Sequence, residues 1–245
     1  MRRAPLFLLL VLAWAQVYHP TATLIHGETE VVVEKTSPDE LGLAWIEEND
    51  EGVLFIFYDP PPYRVRVRFG ENAEAFAALA LVDQPDEGEG TVVLAGGEAK
   101  YLEAEDRVSY EIRAEPDAVE VKKGRFRAFG RRLDYANGPG LARIQGPVRF
   151  ERSGETPLEG EAETLLYRVE DDELWLFGKV RVVQGERETR AERAWVREKE
   201  GVAYLYGQPV ESTAPGETIR GEVVLYDLET GEIWVIGGIE GRFAD

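Results

Sequence analysis

The stretch GEVVLYDLETGEIWVIGG, residues 221–238, decides the fold of this chain. Apolar residues alternate with polar or aromatic ones on both sides of the turn sequence LETG, residues 228–231. A period of two is typical of β-strands, because successive side chains of a strand point to opposite faces. The stretch therefore predicts an antiparallel hairpin that ends at a pair of glycines.

Related segments recur upstream at a nearly constant interval. LARIQG, LWLFG, AYLYG and IWVIG end at Gly146, Gly178, Gly207 and Gly237, so the intervals are 32, 29 and 30 residues. A second pattern (small residue, acid, any, apolar, any, aromatic or apolar) lies between them as AETLLY (162–167), AERAWV (191–196) and GEVVLY (221–226), with looser copies EDRVSY (105–110) and GRRLDY (130–135). A period near 30 residues that is rich in β-formers corresponds to two strands and two turns.

The alternation also predicts which side chains share a face. Positions two and four before each glycine are mostly aliphatic, whereas the positions between them carry Trp175, Phe177, Tyr204, Tyr206 and Trp234. Glycine at the end of such a strand permits a bulge or a sharp twist. We predict that the interior face consists of Val108, Leu133, Ile144, Val148, Phe150, Leu165, Tyr167, Leu174, Leu176, Val180, Val182, Val196, Leu205, Val224, Tyr226 and Val235.

The first third of the chain is less regular. Residues 28–35, 42–48, 52–59 and 63–70 read as strands, and residues 71–84 as a helix with Ala73, Phe76, Ala77 and Ala80 on one side. The acidic stretch 83–90 is the best candidate for a domain boundary. We therefore divide the chain into residues 1–15, residues 16–90 and a repeat region over 91–245. Whether the middle segment is a separate unit or continues the array is left open.

The N-terminus has the pattern of an export signal. Arg2 and Arg3 precede an apolar run over residues 4–15 that ends in the A-x-A sequence Ala13–Trp14–Ala15. This pattern predicts a cleaved secretory signal peptide over residues 1–15. The apolar run is shorter than the ~20 residues of a membrane-spanning helix. A retained anchor at the inner membrane, with the rest of the chain facing the periplasm, is the alternative.

Composition excludes several classes of function. A formal net charge of −19 repels nucleic acid, so we predict no nucleic-acid partner. The chain has no cysteine, and its two histidines, His19 and His26, are fewer than the three or four ligands of a zinc site. No serine lies in a G-x-S-x-G turn. We predict no catalytic residue, metal site or cofactor, although a distant pair of carboxylates, as in a secreted carbohydrate-active enzyme, stays open.

The repeat region resembles the OstA-like family, the LptA-type periplasmic bridge proteins of lipopolysaccharide transport. The resemblance lies in GKVRVVQGERETRAERAWV (178–196), GQPVESTAPGETIRGEVVLYDLETGEI (207–233) and EDRVSY (105–110), and it covers about residues 92–243. It implies an all-β fold, a twisted open β-jellyroll of repeated antiparallel strands. The first third departs from the compact form of the family.

The resemblance also implies a function without catalysis. Family members bind lipid acyl chains in an apolar groove and associate edge to edge. On this basis the sixteen interior residues are candidate lipid contacts. The expected partners are lipopolysaccharide or a related glycolipid, an inner-membrane exporter and an outer-membrane translocon, with the chain located in the periplasm. A β-repeat protein that scaffolds the envelope without binding lipid is the competing interpretation.

Overall fold

The computed structural model describes residues 21–38, 40–71, 73–171, 173–238 and 240–243, so the predicted signal segment lies outside the described residues. Within these ranges the chain forms twenty strands and one short 3-10 turn at Glu198–Glu200, and it contains no helix long and apolar enough to cross a membrane. The predicted all-β class is confirmed. The strands are β1 (Thr21–His26), β2 (Thr29–Glu34), β3 (Leu43–Asn49), β4 (Gly52–Tyr58), β5 (Val65–Phe69), β6 (Ala73–Ala77), β7 (Leu79–Pro85), β8 (Thr91–Leu102), β9 (Arg107–Arg113), β10 (Val119–Lys123), β11 (Phe126–Gly130), β12 (Arg132–Ala136), β13 (Leu141–Arg152), β14 (Leu158–Arg168), β15 (Glu173–Gln184), β16 (Arg187–Arg197), β17 (Val202–Ala214), β18 (Glu217–Asp227), β19 (Ile233–Ile236) and β20 (Glu240–Phe243).

The strands form two facing layers, and every pairing is antiparallel. The first layer starts with the short strands in the order β1, β2, β5, β6, β10, β11. It continues from β11 into one half of β13, then through one half of each strand to β18, and ends at β20. The second layer follows the order β3, β4, β7, β8, β12 and continues through the other halves to β19. Each long strand thus contributes to both layers, which is the antiparallel array that the repeats predict and the open β-jellyroll that the family resemblance implies.

The long strands pass from one layer to the other at a crease. The register of every neighbouring pair from β13 to β18 shifts there, for example between Phe177 and Val180 of β15. Gly146, Gly178 and Gly207 lie at these shifts, inside the strands. The bulge predicted at these glycines is therefore confirmed, but the glycines do not end their strands, because each strand continues past the bend.

Small residues at the crease explain both repeated patterns. The small residue that starts the second pattern also lies at the crease, where Val148 pairs with Ala162 and Val210 pairs with Gly221. Gly178 has φ of 74°, and a Cβ atom there would lie 2.4 Å from the carboxylate of Glu163. At Gly146 a Cβ atom would lie 2.1 Å from the backbone oxygen of Glu163, so larger side chains would clash at Gly146 and Gly178, which accounts for the glycines at these two bends.

The first third contributes to the same sheet and the same core. β6 pairs with β10 and β7 with β8, so the sheet continues past residues 83–90. Val31 and Val67 belong to the same buried cluster as Leu205. All four predicted strands of this region are present as β2, β3, β4 and β5. The domain boundary near residue 90 stays a prediction.

The predicted helix over residues 71–84 is wrong. This segment forms β6 and β7, and Ala73, Ala75 and Ala77 all lie in the core. Alanine has the highest helix propensity, but such local preferences are small and yield where both edges of a segment find strand partners. β6 pairs with β5 on one side and with β10 on the other.

The hairpin of β8 and β9 departs from the repeat. β8 leaves the second layer at Gly96 and Gly97, and its residues from Gly96 to Leu102 pair only with β9 among the described residues. The hairpin covers the outer face of the second layer, where Val108 packs with Ile56 and Leu79. The EDRVSY segment therefore lies in this hairpin and not at the crease.

Candidate functional site

The space between the two layers, which we name the interior trough, is lined mainly by apolar side chains. Fourteen of the sixteen predicted interior residues are buried in one continuous cluster. Val235, near the end of the chain, is partly buried against this cluster, and Val108 lies in the separate cluster under the β8–β9 hairpin. The fourteen are Leu133, Ile144, Val148, Phe150, Leu165, Tyr167, Leu174, Leu176, Val180, Val182, Val196, Leu205, Val224 and Tyr226.

Direct packing of the layers closes the trough. Phe150, Leu158 and Val182 of the first layer face Leu176 and Leu205 of the second across an apolar cavity of about 20 Å³. A cavity of that size holds about one water molecule. No carboxylate among the described residues lines it. At this cavity the trough therefore has no room for a hydrocarbon chain unless the layers move apart.

Polar side chains join the layers along the open side of the trough. We name this contact the seam: Arg125, Arg152 and Thr156 of the first layer meet Glu198, Leu228 and Glu229 of the second. Arg152 donates from Nη1 to the Leu228 carbonyl at 2.5 Å and from Nη2 to Glu229 Oε1 at 2.6 Å. Arg125 donates from Nη1 to Glu229 Oε2 at 3.0 Å, and Thr156 Oγ1 donates to the Glu229 carbonyl at 2.9 Å.

Arg152 is the largest fully buried side chain of the described residues, and only 1% of it is exposed. Its Nε makes no hydrogen bond and lies 3.6 Å from Glu198 Oε1. A buried guanidinium is stable only when carboxylates and carbonyls surround it. Hydrogen bonds from Arg125 and then from Arg152 hold the pKa of Glu229 below its usual range. The seam is therefore an ion-pair network with one unused donor.

A second polar contact crosses the trough near its C-terminal end. The Tyr226 hydroxyl of the second layer is hydrogen-bonded to Thr189 of the first layer. Thr189 Oγ1 donates to Ser212 Oγ at 2.9 Å, and Arg187 Nη1 donates to the same oxygen at 3.1 Å. Burial raises the pKa of the Tyr226 hydroxyl. This end of the trough is thus held by hydroxyl groups as well as by hydrocarbon.

Sequence reasoning missed Arg152, Thr189 and Ser212, although the alternation contains a signal for one of them. Arg152 follows Val148 and Phe150 at intervals of two residues, and those positions point inward. An arginine in an inward register predicts either a buried ion pair or a functional group. The apolar pattern ends at Phe150, so the alternation alone does not mark Arg152 as an inward residue.

The aromatic residues predicted for the opposite face lie on the outside of the second layer. The rings of Trp175 and Trp195 stack with centroids 5.1 Å apart, and Tyr204 follows at 5.7 Å from Trp195. Cross-strand aromatic pairs of this kind stabilise a sheet. At the last strand of the row, Trp234 and Ile236 of β19 are exposed.

Both ends of the sheet are open. Among the described residues β1 pairs only with β2 and β3 only with β4, while β19 and β20 pair only with β18. Unpaired strand edges are able to add a strand from another chain. The described residues contain no group of three or more histidines or carboxylates that could hold a metal ion.

Of three comparisons with known proteins, the comparison with solved structures gave matches and the other two gave none. No family model matches the chain, and no curated protein matches it. Among solved structures, the chain is similar to LptH of Pseudomonas aeruginosa, described as the LptA-homologous periplasmic component of the conserved lipopolysaccharide transport device. The identity is 14% and the TM-score 0.36, over 71% of this chain and 95% of that one. At these values the likeness carries no argument about function.

Proposed function

We propose that this chain is a periplasmic bridge protein that binds the acyl chains of lipopolysaccharide or a related glycolipid in the interior trough and passes the lipid from an inner-membrane exporter to an outer-membrane translocon. The observation that carries the proposal is the continuous apolar interior, which extends from Ala22 to Leu228 and is shared by both layers. A trough of this kind favours hydrocarbon over polar ligands along its whole length.

Lipid entry requires the layers to separate, since the cavity between them is too small for an acyl chain. Burial of hydrocarbon contributes about 0.8 kcal/mol per CH₂, so a 12-carbon chain gains up to ~9 kcal/mol before ordering costs. That gain offsets the lost contacts between the layers, because the acyl chain replaces one apolar surface by another. The crease provides the bend about which the layers separate.

The negative net charge of the chain is compatible with binding a phosphorylated lipid. A phosphorylated head group stays in water outside the trough, where charges more than ~8–10 Å away are largely screened. Burial of the acyl chain therefore dominates over repulsion by the net charge of −19. The open edges of β3 and β19 suit end-to-end association with further copies or with membrane-embedded partners.

Two measurements test the proposal. Native mass spectrometry of the full chain purified from its own envelope is expected to show bound lipid. A photo-crosslinking residue at Leu176 or Val182 is expected to give a lipid adduct, while the same residue at Leu166, which lies on the outer face of the second layer, gives none. Absence of an adduct at both interior positions during transport would contradict the trough as the lipid site.

A second candidate function is an envelope scaffold that binds no lipid. The observation that favours it is the closed packing of Phe150, Leu158 and Leu176 around a cavity of about 20 Å³. A scaffold has no need for the layers to open. Purified protein without lipid, together with resistance of interior amides to hydrogen exchange in the presence of lipid, would decide for this second function.

A further inference from the structure

The seam lies where two cavities meet. An open cavity of about 530 Å³ at the rim of the first layer is lined by Arg125, Arg127 and Arg152, with Glu151 and Glu159. Arg152 and Leu158 line both this cavity and the small apolar cavity of the trough. An amphiphile with its hydrocarbon in the trough would therefore place its head group beside Arg152.

Glu229 shows where an anion fits on the two arginines. Its carboxylate lies between Arg125 and Arg152 and accepts hydrogen bonds from both. Planar guanidinium groups bind carboxylate and phosphate through the same paired donors. The carboxylate of Glu229 therefore occupies a position that a lipid phosphate or carboxylate also suits.

The two partners differ in their freedom to move. Arg152 ends β13 and is buried, whereas Glu229 lies on the turn between β18 and β19 and its side chain is 52% exposed. Withdrawal of Glu229 exposes its carboxylate to water at little cost, but it leaves the buried Arg152 with only Glu198 at 3.6 Å and the Leu228 carbonyl as partners, which favours a replacement anion. The Nε of Arg152 supplies a further hydrogen-bond donor for this anion. The positive charge of Arg125 offsets the repulsion between the anion and Glu198.

We propose that Arg152 and Arg125 bind the anionic head group of the amphiphile whose hydrocarbon enters the trough, and that this head group replaces Glu229. The inference rests on the proposed function and names its head-group site. Replacement of Glu229 breaks the principal ion pairs of the seam, so ligand binding and opening of the trough occur together. A neutral amphiphile lacks the charge that this exchange requires.

The experiment compares dodecyl phosphate, dodecyl maltoside and inorganic phosphate, each below its micelle-forming concentration, on the full chain by calorimetry. The variant Glu229→Gln removes the competing carboxylate, and Glu211→Gln is the matched control because Glu211 forms a similar pair with Arg220. We expect Glu229→Gln to tighten dodecyl phosphate binding about tenfold, since a hydrogen bond to a charged group contributes about that factor. Dodecyl maltoside and the control variant are expected to change less than twofold, and inorganic phosphate alone to bind far more weakly.

Three results would overturn the inference. Unchanged dodecyl phosphate affinity in Glu229→Gln shows that Glu229 does not compete with the head group. Equal tightening of both amphiphiles shows that the seam only holds the layers together. Strong binding of inorganic phosphate alone shows an anion site unconnected with the trough. If neither amphiphile binds to any variant, the proposed function fails as well.

Discussion

Replacement of Leu176 by alanine tests whether packing between the layers holds the trough closed. Leu176 of β15 is 1% exposed. It lies opposite Leu165 of β14 on one side and Ala194 of β16 on the other. Leu176→Ala removes three carbon atoms, which corresponds to about 2.4 kcal/mol at ~0.8 kcal/mol per buried carbon. The small neighbour Ala194 cannot fill the space, so a cavity cost adds to this amount and the total is about 3–4 kcal/mol.

Urea unfolding of the two proteins, followed by far-UV circular dichroism, measures the difference in free energy of unfolding. The control is Leu166→Ala, because Leu166 lies on the outer face of neighbouring β14 and is only partly buried. We expect the control to cost less than half as much as Leu176→Ala. A loss below about 1 kcal/mol for Leu176→Ala, or an equal loss for the two variants, would refute interlayer packing as the main source of stability.

Three further predictions follow from the polar contacts and the open edge. Tyr226→Phe removes the hydrogen bond to Thr189 and is expected to lower the free energy of unfolding by about 1 kcal/mol. Glu229→Gln is expected to lower the melting temperature at neutral pH but not at low pH. The folded pKa of Glu229 lies below its ordinary value of 4.5, so its stabilising effect is present above about pH 4.5 and is lost as the pH falls through the lowered folded value. Ile236→Lys at the exposed edge of β19 is expected to leave stability unchanged within ~0.5 kcal/mol and to reduce end-to-end association in sedimentation experiments.

Each of these predictions has an outcome that contradicts it. A Tyr226→Phe protein as stable as the parent would mean that the Thr189 contact contributes no net stability. A melting-point difference for Glu229→Gln that does not shrink as the pH falls below 4.5 would show that its effect does not come from the charge of Glu229. Unchanged association of Ile236→Lys at matched concentration would exclude β19 as an association edge.

The repeat region was predictable because two sequence signals coincide there. The glycine interval and the alternation both follow from the same geometry, in which strands of 11–13 residues each bend at the crease. Leu174, Leu176 and their equivalents could be assigned to the interior for this reason. The prediction concerned only which face points inward, so it could not reveal that the layers meet directly and leave a cavity of about 20 Å³.

The remaining features depend on contacts distant in sequence. The alanines of β6 favour a helix locally, and only pairing with β5 and β10 makes the segment a strand. The seam joins Arg152 to Glu229, which are 77 residues apart, and no local pattern links them. EDRVSY matches the repeat in sequence but lies in a hairpin that turns away at Gly97, where φ is 133°. A degenerate six-residue pattern cannot distinguish these two environments.

The regular period has a consequence for the dimensions of the molecule. Each repeat of about 30 residues adds two neighbouring strands to both layers, and neighbouring strands lie ≈4.7–4.9 Å apart. Duplication or loss of one repeat would therefore change the length of the array by roughly 9–10 Å without altering its cross-section. Chains built from the same repeat could adjust their length in steps of this size, with the terminal strands kept as fixed end pieces.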